Sequence, residues 1–200
     1  MRDIKEPEIR KAEIMDSAFL LFVEKGYINT TTQDIIEKAH ISRGLLYYHF
    51  KNKEDILYCI VERHSKPLLE NLYSLSYDPN KSAIQKIRDF FSITMISPED
   101  ITNETIELQN AFNLEQNQYL MDKFSHNLIE KLTEYFSNIL EQGKREDVLE
   151  VEFPLETSYL LITAYVFASN NTNIKSNGSF QLKSFKLILT RVLKCEGLFE

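Results

Sequence analysis

An all-α fold is what this sequence predicts, and three observations carry the prediction. Apolar residues recur at three- and four-residue spacing through most of the chain. Five glycines and five prolines in 200 residues are too few for an all-β protein, which turns about every ten residues. With 43% hydrophobic residues, the chain can bury a sizeable core in one or two domains.

The first helix is expected from about Pro7 to Lys25, where Ala12, Met15, Phe19 and Phe22 fall on one side together with Ala18. Gly26 follows in the usual stop position. Thr31 caps the second helix, with Asp34 three residues on as a capping box and Ile35, Ile36 and Ala39 on the buried side. Ser42 caps a third short helix that ends near His49. Asn52 caps a fourth, whose first-turn Glu54 and Asp55 suit the helix dipole. That helix runs from Lys53 towards Tyr73 and is expected to be interrupted at Pro67, which removes a backbone bond and kinks it. The expected division is a helix-turn-helix domain over 1–52 and a second helical domain over 53–200.

Asp78 and Pro79 mark the start of the next helix, which continues through Phe90, Phe91 and Met95; Ser97-Pro98-Glu99-Asp100 marks another. The Gln/Asn-rich stretch from Gln109 to Gln118 reads either way. Phe124, Leu128, Leu132, Tyr135, Phe136 and Ile139 define a long helix expected to stop at Gly143. Two last helices, about Pro154 to Ser169 and Phe180 to Cys195, flank a polar loop. The first of them is apolar around nearly its whole circumference. A helix of that kind must be covered all round, so a second subunit is expected over it, with Leu161, Tyr165, Phe185, Ile188, Leu189 and Val192 at the interface; the alternative is a central core helix of a monomer.

Composition narrows the function. Two cysteines, Cys59 and Cys195, stand apart in no metal-ligand or redox spacing, which indicates no disulfide framework and fits a reducing cytoplasm. No phosphate loop, zinc-protease motif or nucleophile elbow appears, no cofactor or metal is called for, and His64 and His126 lack a second ligand at metal spacing. A helical enzyme is therefore the remote alternative. No apolar run approaches membrane-spanning length. The formal net charge of −7 argues against nucleic acid as a partner, but its distribution argues for it. Between Gly26 and Lys53, Lys38, Arg43, Lys51 and Lys53 oppose only Asp34 and Glu37, a net +2 that leaves −9 for the rest.

The same segment carries the residue types that a recognition helix needs. Such a helix is short and exposed, and brings its backbone against phosphates while side chains reach base edges in the major groove. Ser42 offers a small hydroxyl at a helix start, Arg43 can pair with phosphate or bidentately with guanine, and Leu45 can touch a thymine methyl. Gly44 permits close backbone approach. Tyr47, Tyr48 and His49 add polar tips on rigid rings, and Lys53 adds charge at a helix start. Leu46 and Phe50 are expected in the core.

The run from Ile14 to Leu57, above all Ser-Arg-Gly-Leu-Leu-Tyr-Tyr-His-Phe-Lys-Asn-Lys-Glu-Asp-Ile-Leu, resembles the DNA-binding domain of the TetR family of bacterial transcriptional regulators. In the Thr-Thr-Thr and Leu-Tyr-Tyr-His-Phe-Lys details it is especially similar to multidrug-sensing members of that family such as QacR. The resemblance implies that Thr31 and Thr32 lie against the DNA backbone, that Ser42, Arg43, Gly44 and Leu45 face the groove, and that Tyr47, Tyr48, His49 and Lys53 hold phosphates. His40 stands where the family usually has glycine, and Leu45 replaces a common threonine. The implied remainder is a ligand cavity among the middle helices and a dimer through the last two. Tyr73, Phe90, Phe91, Met95, Phe112, Phe124 and Tyr165 are the candidate pocket residues, with Glu107 and Glu115 as possible partners for a cation. The expected function is a homodimeric repressor that leaves its double-stranded operator when a small-molecule effector binds. The alternative is a DNA-binding activator or architectural factor controlled by a protein partner.

Overall fold

The computed structural model describes residues 6–94, 103–112, 117–170 and 178–199. Among them, nine helices and no strands are present: α1 (Pro7–Lys25), α2 (Thr32–Lys38), α3 (Arg43–His49), α4 (Lys53–Tyr77), α5 (Ala83–Thr94), α6 (Asn103–Phe112), α7 (Gln118–Arg145), α8 (Pro154–Asn170) and α9 (Gly178–Val192). The expected caps are in place over the first four. The α4 helix passes without interruption through Pro67, reaching beyond the Tyr73 expected from sequence.

Two ends differ from expectation. The α5 helix begins at Ala83, because Ser82 and Gln85 form a reciprocal cap, with Ser82 Oγ accepting from the Gln85 amide at 3.3 Å and Gln85 Oε1 accepting from the Ser82 amide at 3.0 Å. Asp78 instead closes a turn by accepting from the Asn80 amide. Gly143 does not stop α7. It lies within the helix, where an added Cβ would come 2.3 Å from Leu149 Cδ1 and 3.2 Å from the Ala83 Cβ. Its role is to leave room for Leu149, which is buried. Met95 and the Ser97–Asp100 signal lie outside the described residues.

Three helices end in one and the same way. After α2, the His40 amide donates to the Glu37 carbonyl and the Ile41 amide to Ile36; after α7, Asp147 donates to Lys144 and Val148 to Gly143; after α9, Lys194 donates to Arg191 and Cys195 to Thr190. Each is a Schellman motif, which requires a left-handed residue. His40, Asp147 and Lys194 adopt φ of 52°, 55° and 48° without being glycine.

The chain forms two compact units, Met1–Ser65 with Pro98–Phe124 and Lys66–Ser97 with Ser125–Glu200. The division falls within α4, at Ser65, rather than before it as the sequence suggested. The cause is apolar: Ile56, Leu57 and Ile60 in the first half of α4 are fully buried with Ile14, Ala18, Ile35, Leu46 and Phe50. Leu108 and Ala111 of α6 join the same core, which enlarges a head that three short helices alone would leave small. In the second unit Phe90, Phe91 and Phe136 pack with centroids 5.2–5.4 Å apart. Beside them the buried Lys86 ammonium donates to the Ser76 carbonyl at 2.8 Å and to Gln142 Oε1 at 2.6 Å. Arg88 holds the chain's last described residues by donating to the carbonyls of Gly197 and Leu198.

Candidate nucleic-acid interface

The helix-turn-helix is fixed by short-range hydrogen bonds. Thr31 Oγ1 accepts from the Asp34 amide at 3.2 Å, and Asp34 Oδ2 accepts from both the amide and the hydroxyl of Thr31 at 2.6 and 2.7 Å. The Lys25 ammonium, 2.7 Å from Asp34, and the Thr31 donors hold that carboxyl well below the usual carboxylate range. Ser42 Oγ accepts from the Leu45 amide at 3.2 Å to start α3. Asn52 Oδ1 accepts from the Asp55 amide at 2.8 Å to start α4. The turn between α2 and α3 closes through His40, whose side chain is exposed.

Seven residues make α3 about 10 Å long, short enough to enter a major groove about 12 Å wide. Leu46 and the Phe50 that follows the helix are 1% and 2% exposed and anchor it. Arg43 with Tyr47 and Gly44 with Tyr48 are i, i+4 neighbours on the helix surface, and all four are exposed. The Arg43 guanidinium lies 5.7 Å from the Tyr47 ring centre, a stacking that pre-orients it. Tyr48 is 73% exposed, with its ring 4.9 Å from that of His49. Thr31 and Ser42 are exposed, whereas Thr32, Leu45 and His49 are half-buried.

Gly44 is informative because the fold does not need it. A Cβ there would meet nothing within 4 Å, and its φ is not in the left-handed region. Glycine inside a helix costs about 0.5–1 kcal/mol relative to alanine, and no contact within the protein offsets this.

Lys53 has a different place from the one its position suggested. Its Nζ donates to the carbonyls of Tyr27 at 2.7 Å and Thr30 at 2.9 Å and lies 4.1 Å from the Tyr27 ring centre. Burial pushes the ammonium below its ordinary range, partly offset by Glu54. Two of its three protons are thus committed to the α1–α2 loop. That loop is also tied by Thr30, whose buried hydroxyl donates to the Gly26 carbonyl at 2.9 Å. The sequence reading passed over Thr30 in favour of its neighbours. It also left Lys51, an exposed cation just past α3, out of the phosphate contacts, although the charge balance of the segment and the Leu-Tyr-Tyr-His-Phe-Lys run both contain it.

The other candidate residues are scattered. Phe90 and Phe91 are fully buried packing groups. Tyr73 is exposed, stacked with Tyr77 and Tyr135. Tyr165 packs on Phe91 and Phe185 and donates its hydroxyl to the Thr94 carbonyl at 2.9 Å. Phe124 packs against the head's core. Met95, Glu115 and the side chain of Phe112 lie outside what is described, and Glu107 is exposed on α6. Of the six residues expected between subunits, Ile188 and Val192 are exposed, Tyr165 and Phe185 are half-buried, and Leu161 and Leu189 are buried among their own subunit's apolar residues. Leu160 on α8 and Leu187 on α9, 68% and 50% exposed, extend the apolar surface.

Residues 14–58 match the sequence profile of the bacterial regulatory proteins of the tetR family. The chain is 50% identical over 46 residues to IcaR, the negative transcriptional regulator of the icaADBC biofilm operon of Staphylococcus epidermidis, a match covering 23% of this chain and 25% of that protein. It therefore spans about a quarter of that relative's length. YfiR of Bacillus subtilis, an uncharacterized helix-turn-helix transcriptional regulator, is 26% identical over 94% of this chain and 93% of its own. Among solved structures, the SmeT complex with triclosan superimposes with a TM-score of 0.65 at 23% identity, covering 96% of this chain and 95% of that one. IcaR and YfiR are both transcriptional regulators. No described helix is long and apolar enough to cross a membrane.

Proposed function

We propose, from the premise of a TetR-family helix-turn-helix head at residues 14–58, that the chain is a homodimeric transcriptional repressor released from its operator by a small molecule. The observation that carries the DNA-binding part is the exposed Arg43–Gly44–Tyr47–Tyr48 surface with a glycine that the protein itself does not require. In this reading Ser42, Arg43, Gly44 and Leu45 meet the groove. Thr31, Thr32, Tyr47, Tyr48 and His49 meet the phosphate backbone, joined by Lys51. Lys53 acts mainly by fastening the loop that precedes α2, with its remaining proton available to a phosphate.

The dimer rests on α8 and α9. Leu160, Leu187, Ile188 and Val192 form an exposed apolar surface of a kind that monomers rarely leave uncovered. Repression is favoured by the likeness of the head to that of IcaR, a negative regulator. A small-molecule effector is suggested by SmeT, which shares the fold, having been solved with triclosan. To move the protein decisively off DNA, the effector must prefer the non-binding state by about 5 kcal/mol.

Gly44→Ala is the direct test. Against a genomic fragment selected by the unaltered protein, its affinity in gel shifts should fall at least about tenfold, or about 1.4 kcal/mol, while thermal unfolding is unchanged or shifted upward. Unaltered affinity would remove α3 from the interface. Ile188→Glu should yield monomers in sedimentation experiments and lose operator binding together with dimerisation.

A further inference from the structure

Two lysines beside α2, the helix whose start is set against the DNA backbone in the reading above, already have carboxylate partners within the head. Lys25 Nζ stands 2.7 Å from Asp34 Oδ2. Lys38 Nζ donates to both carboxylate oxygens of Glu24, at 2.8 and 2.9 Å, which ties the last turn of α2 to the last turn of α1. Thr31, Asp34 and Lys38 follow one another at three and four residues, along one face of the helix. Lys38 is thus about 10 Å along the axis from Thr31, or about one Debye length at 0.1 M salt. Its charge is felt by a phosphate bound at Thr31. Arg43 and Lys51, by contrast, enter no ion pair among the described residues.

Exposed ion pairs of this kind contribute little to folding. Their effect on a polyanion is larger, because each free lysine beside a duplex adds released counter-ions to the binding of any sequence. Sequence-independent affinity is almost wholly of this kind, whereas an operator complex also has base contacts that fix the register of the recognition helix. In a fixed register a lysine meets only the phosphate that stands there; on arbitrary duplex the head can shift until one is met. Additional free cations therefore favour wrong sequences more than the right one. We infer that Glu24 is a specificity-determining residue: by occupying Lys38 it suppresses binding to arbitrary DNA and so widens the advantage of the operator. Asp34 does the same for Lys25 while it caps α2. The inference rests on the DNA-binding reading above and adds to it a residue of α1 whose charge DNA repels.

Glu24→Gln in the full chain provides the test, by fluorescence anisotropy over a range of salt concentrations with two duplexes: the selected genomic fragment, and one of the same length and composition in scrambled order. Affinity for the scrambled duplex should rise at least about fivefold at about 0.1 M salt, and its salt slope should steepen by about 0.9 for each head. The selected fragment should gain less, so that the ratio of the two affinities falls. Combining Glu24→Gln with Lys38→Gln should return both affinities to within about twofold of the unaltered protein. Glu37→Gln removes a carboxylate of α2 that accepts from Gln33 Nε2 at 2.8 Å and has no cation partner among the described residues. It should change affinity for the scrambled duplex by less than about twofold. The melting temperatures of all three variants should match that of the unaltered protein. An unchanged salt slope in Glu24→Gln, an equal gain on both duplexes, or an effect of Glu37→Gln as large as that of Glu24→Gln would overturn the inference and leave the DNA-binding reading in place. Failure of the unaltered protein to prefer any fragment would overturn that reading, and the inference with it.

Discussion

The head and the larger unit are held together at different sequence distances. In the head, the polar contacts that set the helix-turn-helix join residues three or four apart: Thr31 with Asp34, Ser42 with Leu45, Asn52 with Asp55. In the larger unit they join remote segments. Lys86 reaches Gln142, Ser76 Oγ donates to the Tyr135 carbonyl, Glu146 accepts from the Ala83 amide, and Arg88 donates to Leu198. The difference teaches why one half of such a chain carries a recognisable signature while the other does not. Local caps demand particular residue types at fixed spacing, whereas a remote contact can be met by many pairs.

The larger unit should show the largest mutational effects, because its centre is both aromatic and remote. Phe136→Ala, fully buried between Phe90 and Phe91, should cost about 3–5 kcal/mol in chemical denaturation. A loss under about 1 kcal/mol would mean that the aromatic cluster is not this unit's keystone. Lys53→Met tests a long-range polar tie in the head, one that joins α4 to the α1–α2 loop. It should cost about 1–2 kcal/mol by leaving the Tyr27 and Thr30 carbonyls without their donor. A fall in operator affinity with a reduced salt slope and no loss of stability would instead restore Lys53 to the phosphate contacts.

A smaller effect of opposite sign is expected at the turn. His40→Gly relieves a left-handed residue and should stabilise the head by about 1 kcal/mol, measured as a higher melting temperature with operator recognition retained. Destabilisation would show that the histidine side chain makes a contribution larger than its backbone strain. The smallest effect concerns pH. Since the Asp34 carboxyl is held well below its ordinary range by Lys25 and Thr31, its stabilising contribution is fully present above the unfolded value, about pH 4, and is lost as pH falls through the depressed folded value. Carboxyl chemical shifts should show Asp34 titrating below the other aspartates; titration near pH 4 would remove the capping box as its cause.

How much of this was legible in the sequence follows the same division. The bounds of α1 to α3 could be read because Gly26, Thr31 and Ser42 punctuate them and the buried residues repeat at helical spacing. The start of α5 was equally legible, since Ser82 and Gln85 have capping-box spacing, but Asp78-Pro79, which belongs to a turn, read as the helix start instead. Gly143 read as a stop because the approach of Leu149 and Ala83 depends on tertiary packing that local pattern does not contain. The membership of α6 in the head's core was illegible for the same reason: Leu108 and Ala111 are ordinary apolar residues until they meet α1. At the candidate interface the residue types of α3 were legible from their chemistry. The commitment of Lys53 to two carbonyls was not, because a basic residue at a helix start looks the same whether it faces solvent or its own backbone. The aromatic residues read as a pocket illustrate the same limit, for Phe90 and Phe91 are packed tightly in a core that helical spacing describes equally well.

The Schellman ends of α2, α7 and α9 bear on how this chain can change over time. Their bends are specified by a pair of backbone hydrogen bonds, and His40, Asp147 and Lys194 show that the left-handed position accepts an aromatic ring, a carboxylate or an ammonium in turn. Identity there can change, at about 1 kcal/mol relative to glycine, while the path of the chain is kept. In descendants of this protein, variation at position 40 should therefore be a poor guide to any change in the DNA sequence recognised, which lies instead with the side chains that α3 presents.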